Sequence, residues 1–370
     1  MKTKTTIWTR LFLLSLLCLV LAGCKKSPEE LYNEQRSGVV LILNKYYYEL
    51  AVSNGAVIYF TGLDDNGDLE NATFDEEEIQ KHSAILMGTG FFIDKDGTIL
   101  TNRHVAQPQI DEAVVKQKYQ RLIDGVEQVL NAQYEQNNEQ INQLKQQMEA
   151  CISYDWNTGQ YYYSDQATYE SCSEQIEEIQ TSQQQLAASY RQLESNRYGL
   201  TYKINCKSTI GLAFDNTSVS DIDDFMRNGC VVAKVSDDED TDLATLRLKT
   251  NKTPENSFVF TLNEDKKGDS KEDIGSVSIQ QPVYMIGYNA GTLMAVTKKG
   301  ISAQMTSGKI TQNPDGDRVM YDIAAIQGSS GSPVIDEDGK VVAVNFAKFA
   351  GSDNFNFGIP INKINKFLDK

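Results

Sequence analysis

Between Pro108 and Pro254 the chain contains no proline, and 18 of the 91 residues from Gln109 to Gly199 are glutamine. A stretch so poor in breakers and so rich in long polar side chains favours solvated helices over a globular core. Its apolar positions give the architecture. Leu130, Tyr134, Asn137, Ile141, Leu144, Met148 and Cys151 follow one another at alternating four- and three-residue steps. Tyr169, Cys172, Ile176, Ile179, Gln183, Leu186, Tyr190, Leu193, Arg197 and Leu200 repeat the pattern. Both are heptad seams. With Asn157-Thr158-Gly159 as a turn and Gly199 as a helix stop, the segment 109–199 reads as two antiparallel helices joined by a tip near 152–168. A first helix of about 40 residues, at about 1.5 Å each, extends roughly 60 Å. The tip aromatics Tyr154, Trp156, Tyr161, Tyr162 and Tyr163 form a candidate contact patch for a protein partner.

The N-terminus sets the compartment. Lys2, Lys4 and Arg10 precede an apolar run from Leu11 to Ala22, which is short for a permanent membrane span and suits an export signal over residues 1–23. The sequence Leu21-Ala22-Gly23-Cys24 then resembles the lipobox of bacterial lipoproteins. That resemblance implies lipidation at Cys24, a tether over 24–36 and a location in the bacterial cell envelope, held to a membrane and facing the periplasm or cell surface. Four further cysteines, Cys151, Cys172, Cys206 and Cys230, form an even set in an exported chain and suggest disulfides, with three connectivities open. Cys151 and Cys172, at the two ends of the tip, would staple the hairpin; Cys206 and Cys230 would link neighbouring strands. No Cys/His spacing suits a metal, and no cofactor is implied. With 35 Lys+Arg against 51 Asp+Glu, the net charge of -16 argues against a nucleic-acid partner.

On either side of the helical segment the pattern is short β runs. Val39–Leu43, Ala56–Phe60, Ala84–Ile93 and Thr98–Thr101 lie before it. Leu200–Cys206, Thr209–Phe214, Cys230–Val235 and Leu243–Leu248 lie after it, with further strands from Val277 to Phe349. The charge run Asp75 to Glu78 reads as a solvated loop. Ile361, Ile364, Phe367 and Leu368 have the spacing of a short amphipathic helix.

Of the two histidines, His82 reads as a strand-end or loop residue, and His104 closes the run Gly88-Thr89-Gly90-Phe91-Phe92-Ile93-Asp94-Lys95-Asp96-Gly97-Thr98-Ile99-Leu100-Thr101-Asn102-Arg103-His104-Val105-Ala106. This strand, turn, return strand and terminal His resemble the His segment of trypsin-fold serine proteases, above all the HtrA/Deg-like bacterial branch. Asp242-Leu243-Ala244-Thr245-Leu246 resembles the family's Asp segment, and Gln327-Gly328-Ser329-Ser330-Gly331-Ser332-Pro333 its nucleophile turn, Gly-x-Ser-Gly-Gly-Pro in most members. The order His, Asp, Ser is the chymotrypsin-like one.

The resemblance covers roughly 37–108 and 205–368. It implies a mainly β fold of two antiparallel six-stranded-type β-barrels, with the α-helical coiled-coil hairpin inserted in the first. The expected division is a first barrel at 37–108 plus 200–250, the inserted hairpin at 109–199, and a second barrel at 251–370. The implied activity is hydrolysis of peptide bonds in exported proteins. His104 would be the general base, Asp242 its orienting partner and Ser330 the nucleophile, and the amides of Gly328 and Ser330 would form the oxyanion hole. Ser332 stands where the family has its second Gly, and Ser329 where trypsin-like enzymes have an Asp. A zymogen switch based on a freed N-terminal amine is therefore not expected. Ala324 to Ile326 include no acid, so a primary pocket for small or aliphatic side chains is expected by analogy. Only 40 residues follow Ser330, too few for the PDZ domain common in the HtrA branch. The alternative is a catalytically silent protease fold that serves as a binding module through its coiled-coil arm.

Overall fold

The computed structural model describes residues 25–369 apart from 54, 196–199, 239–240, 263–276 and 349–355. The export signal, Cys24, Gly199 and Arg197 lie outside the described residues. The chain divides into two compact units: Met1–Tyr46, Ala84–Gln109 and Ser208–Lys370 form one, and Tyr47–Ser83 with Ile110–Lys207 form the other.

The first unit opens with α1 (Pro28–Gln35), whose Ser27 N-cap and Glu30 make a reciprocal capping box. Strand β1 (Val39–Val52) follows, then β2 (Ala84–Phe92) and β3 (Thr98–Thr101). After the short helix α2 (Arg103–Ala106) the chain leaves this unit. It returns in β6 (Tyr202–Phe214), β7 (Gly229–Val235) and β8 (Ala244–Leu248). The strand order β1-β2-β3-β8-β7-β6, with β6 paired back onto β1, closes a six-stranded barrel. Val39 to Leu43 form an unbroken apolar run because both faces of β1 are covered. Val40 and Ile42 point into the barrel with Phe92, Ile99 and Leu246. Val39, Leu41 and Leu43 join Phe91, Leu100, Ile286 and Tyr288 in the layer shared with the second barrel.

That second barrel is a curled six-stranded sheet. Its members are β9 (Pro282–Gly287), β10 (Gln304–Lys309), β11 (Val319–Tyr321), β12 (Pro333–Ile335), β13 (Val341–Lys348) and β14 (Asn356–Pro360), in the order β10-β9-β12-β13-β14-β11. A bridge between Ile310 and Tyr321 brings its two edges together. Val283, Met285, Val319, Tyr321 and Val334 fill it. The closing helix α5 (Ile361–Asp369) buries Ile361, Ile364 and Phe367, as its spacing predicts.

In the second unit, α3 (Glu112–Ala150) is capped by Asp111, whose carboxylate accepts from the amides of Ala113 and Val114. The tip is a two-stranded hairpin, β4 (Ile152–Asp155) and β5 (Gln160–Tyr163), turning at Gly159 with φ +72°. Helix α4 (Gln166–Ser195) returns antiparallel to α3. Cys172 Sγ meets Gln147 Oε1, Gln183 Nε2 donates to Asn138 Oδ1, and the Tyr190 hydroxyl donates to Glu127 Oε1. Cys151 and Cys172 both lie near the tip, and neither is in a disulfide in this structure. Cys206 and Cys230 are likewise not in a disulfide. Cys230 lies opposite Ile210 and Leu248 inside the first barrel, and burial pushes its thiol up to about 12. The charge run at Asp75 also differs from expectation: Asp75 caps a one-turn helix, Glu76–Lys81, through the amides of Glu77 and Glu78. No described helix is long and apolar enough to cross a membrane.

Candidate active site

His104 sits on α2, and the packing behind it is what aims it. Val105 and Ala106 are fully buried. Val105 fills the space left by Gly88, where a Cβ would come within 2.6 Å of it. The buried Asn44 side chain donates to the carbonyls of Val105 and Ala106, at 2.9 and 3.0 Å, which ties off the helix end. The imidazole is left partly exposed at the rim.

Asp242 is delivered just ahead of β8, where Leu243 and the strand's first residue, Ala244, are fully buried. Thr101 pairs with Ala244, so the end of the His strand and the start of the Asp strand are neighbours in one ladder. Asp242 Oδ1 accepts the His104 backbone N–H at 2.9 Å, and Oδ2 lies 2.5 Å from Nδ1 of the ring. Asn102, fully buried, donates to the Asp242 carbonyl at 2.9 Å. The carboxylate thus holds both backbone and ring of His104, and the ring nitrogen facing away, Nε2, is the one available to a substrate or nucleophile.

Ser330 lies at the crest of the turn between Gln327 and Ser332. Gly328 and Gly331 take φ of +99° and +87°, which only glycine adopts without strain, and both are packed too closely for a side chain. Thr89 holds this turn through two hydrogen bonds and is itself held by a third. Its N–H donates to the Ser330 carbonyl at 2.8 Å, its hydroxyl donates to the Gly328 carbonyl at 2.8 Å, and its own carbonyl accepts from the Thr101 hydroxyl at 2.7 Å. The turn is therefore anchored to the two strands that lead to His104. Among the described residues, neither the Gly328 nor the Ser330 amide donates to a protein acceptor, and no hydrogen bond joins the Ser330 hydroxyl to His104. Two free amides beside a Ser hydroxyl are the requirement of an oxyanion site.

Ser329 is held from below. Its hydroxyl donates to the Ile326 carbonyl at 2.7 Å and accepts from Asn345 Nδ2 at 3.2 Å; that same Nδ2 reaches the Ser329 carbonyl at 3.1 Å. Tyr321, whose phenol burial pushes well above its usual range, remains protonated and donates to Asn345 Oδ1 at 2.9 Å. A neutral network, Tyr321–Asn345–Ser329, thus holds the residue that precedes Ser330. Asn345 is a lone polar residue in the apolar run Val341–Phe346, and that is the only sequence signal for it. Thr89 and Asn44 carry none.

Ser332 fits because Gly287 leaves room: a Cβ on Gly287 would come within 2.0 Å of the Ser332 hydroxyl. That hydroxyl is buried and has no hydrogen-bond partner among the described residues. Ser332→Ala, which removes only the unpaired oxygen, is expected to leave stability unchanged or raise it by up to about 1 kcal/mol, read as an upward shift of the urea midpoint. A loss above about 1 kcal/mol contradicts this placement.

Residues 215–344 match the trypsin-like peptidase domain family. The match takes in Asp242 and Ser330 and begins beyond both His104 and the helical segment. Comparison with curated proteins gives no match. The closed first barrel, the curled second barrel and this match together make the fold a trypsin-like double barrel with a helical insertion, and support a function of the serine protease type.

Proposed function

We propose that the protein is an exported serine endopeptidase of the HtrA-like kind, held to a membrane by lipid on Cys24 and acting on proteins in the cell envelope. The observation that carries the reading is the double grip of Asp242 on His104 beside a turn whose Gly328 and Ser330 amides are free. With the Nδ1 proton held by Asp242, His104 Nε2 accepts the Ser330 proton as Oγ attacks the substrate carbonyl carbon. The carbonyl oxygen takes up the negative charge and is stabilised by the two amides, each contributing about 3 kcal/mol at the transition state. Collapse breaks the C–N bond, the imidazolium gives its proton to the departing amine, and an acyl-Ser330 ester remains. Water, deprotonated by His104, hydrolyses that ester and restores the enzyme. The lipid chains contribute about 0.8 kcal/mol per buried methylene to membrane attachment. The hairpin tip, where Trp156 and Tyr161 are among the most exposed aromatics, serves a protein partner.

A fluorophosphonate probe tests the reading. Wild-type protein is expected to label on Ser330, and both Ser330→Ala and His104→Ala to lose the label while unfolding at the wild-type temperature. Folded wild-type protein that takes up no probe would instead favour the silent binding module.

A further inference from the structure

Among the described residues, five other than glycine take a left-handed φ, and three of them are asparagine, which tolerates it. Ala290, at φ +56°, is the one whose side chain can make no hydrogen bond to compensate. Such strain persists only where the surrounding structure imposes it, and it gathers at functional sites. Here the segment Tyr288–Gly291, just after β9, is pinned on both sides of Ala290. The Tyr288 N–H donates to the Thr89 hydroxyl at 3.0 Å, the Asn289 N–H to Gln304 Oε1 at 2.9 Å, and the Gly291 N–H to the Tyr288 carbonyl at 3.1 Å. The Ala290 N–H is thereby delivered to the Gln327 carbonyl, at 2.7 Å.

That carbonyl belongs to the same peptide unit as the Gly328 N–H. The Ser329 N–H donates to the Ile326 carbonyl at 3.0 Å, so Ile326 to Ser329 form a β-turn, and a positive φ at Gly328 with none at Gln327 makes it type II. Its central peptide has a close alternative. Rotating that peptide by about half a turn gives type I, in which the Gln327 oxygen and the Gly328 hydrogen exchange sides. Glycine accommodates both forms, so the local sequence does not decide between them. In a trans peptide the C=O and N–H point in opposite directions, and no described peptide is cis. With its oxygen held by Ala290, the peptide turns the Gly328 N–H away from Tyr288–Gly291, and no described protein acceptor meets it there. A flipped peptide would present an oxygen in place of that N–H and repel an oxyanion.

Under the endopeptidase reading, on which this inference rests, the Gly328 N–H is one of the two oxyanion donors. We infer that Ala290 is a positioning residue for the reaction: its backbone N–H, set by a left-handed φ, holds the Gln327–Gly328 peptide in the orientation that offers the Gly328 N–H to the oxyanion. The Ala290 methyl group takes no part. The effect of a substitution therefore depends on whether the new residue adopts the same φ, not on its polarity.

The test uses the full mature chain and a peptide that the wild-type protein cleaves. Replacing Ala290 by lactic acid, which exchanges the N–H for an ester oxygen, is expected to lower kcat by about a hundredfold with KM changed by less than about threefold, because one oxyanion donor carries roughly that much. A peptide boronate, whose tetrahedral oxygens resemble the oxyanion, is expected to lose affinity by a similar factor. Ala290→Val, β-branched and so an outlier at positive φ, is expected to act in the same direction. Ala290 is partly exposed, which leaves room for other side chains, and Ala290→Gly and Ala290→Asn are expected to keep kcat within about threefold of wild type. Should the Val variant not fold, the lactic acid and Asn variants keep the test available. Wild-type kcat in the lactic acid variant, or a loss of kcat that the Gly and Asn variants share in full, would overturn the assignment while leaving the endopeptidase reading intact. Wild-type protein that neither cleaves peptide nor takes up fluorophosphonate would remove the reading beneath it.

Discussion

Under the proposed endopeptidase reading, Asp242→Asn is expected to lower kcat for peptide hydrolysis by about ten-thousandfold with little change in KM or in the unfolding midpoint. The size follows from which oxygen does what. Asp242 Oδ1 is engaged by the His104 backbone N–H and Oδ2 by ring Nδ1. In the Asn side chain only one oxygen remains. The backbone N–H can only donate, so the oxygen stays with it and the amide N–H₂ turns toward Nδ1. A donor facing Nδ1 forces that nitrogen to accept, which moves the ring proton to Nε2. His104 then presents a proton to Ser330 where it must present a lone pair. The fold is preserved because both hydrogen bonds survive in altered form, and substrate binding is preserved because Asp242 touches no substrate. Steady-state kinetics together with urea unfolding check this. A fall in kcat of less than about tenfold would mean that Asp242 orients nothing that limits the reaction.

Gly331→Ala is expected to cost roughly 2 to 5 kcal/mol of stability and to abolish probe labelling of whatever folded protein remains. Its φ of +87° is strained for any residue with a Cβ, by about 1 to 2 kcal/mol. The new methyl would also lie 2.0 Å from the Thr89 carbonyl oxygen and 2.4 Å from the Thr101 hydroxyl, which are hydrogen-bonded to each other. Overpacking of this kind costs about 1 to 3 kcal/mol, and here it falls on backbone that cannot swing aside. The relief available is to push the turn off Thr89, which also releases the bonds to the Gly328 and Ser330 carbonyls. The neighbouring Ser332→Ala, with no such clash, is the contrast. A Gly331→Ala protein with wild-type midpoint and labelling would show that the turn is not pinned where Thr89 holds it.

What could be read from the residues in order, and what could not, divides along the range of the interaction. The seams of α3 and α4 repeat every three or four residues, so Ile141, Leu144 and Ile176 announce themselves locally, and all three are buried. Thr98–Thr101 and Leu243–Leu248 were legible because each is a short β-rich run bounded by turn or charge signals. Interactions between distant segments left weaker traces. Spacing suggests a Cys151–Cys172 pair, and the structure shows both thiols without a disulfide; the two-stranded hairpin at the tip, with Ile152 opposite Tyr163, is a feature that the heptad spacing does not contain. That Thr89, in an unremarkable Gly-Thr-Gly, carries the Gly328–Ser332 turn depends on a partner 239 residues away. Asn356 is polar in a strand and reads as ordinary until its burial shows that its Oδ1 has no partner among the described residues.

The insertion between His104 and Asp242 also bears on the order in which the molecule assembles. These two residues are 138 positions apart, and closing a flexible loop of that length before β3 can meet β8 is a slow, entropically costly step. An antiparallel helical pair changes the arithmetic. Helices and short hairpins form within microseconds, and once α3 and α4 have paired from Tyr190 and Glu127 out to Cys172 and Gln147, the entry and exit of the insertion are drawn together. The strands then search as though joined by a short connector. The arm that interrupts the first barrel in sequence thereby shortens it in time.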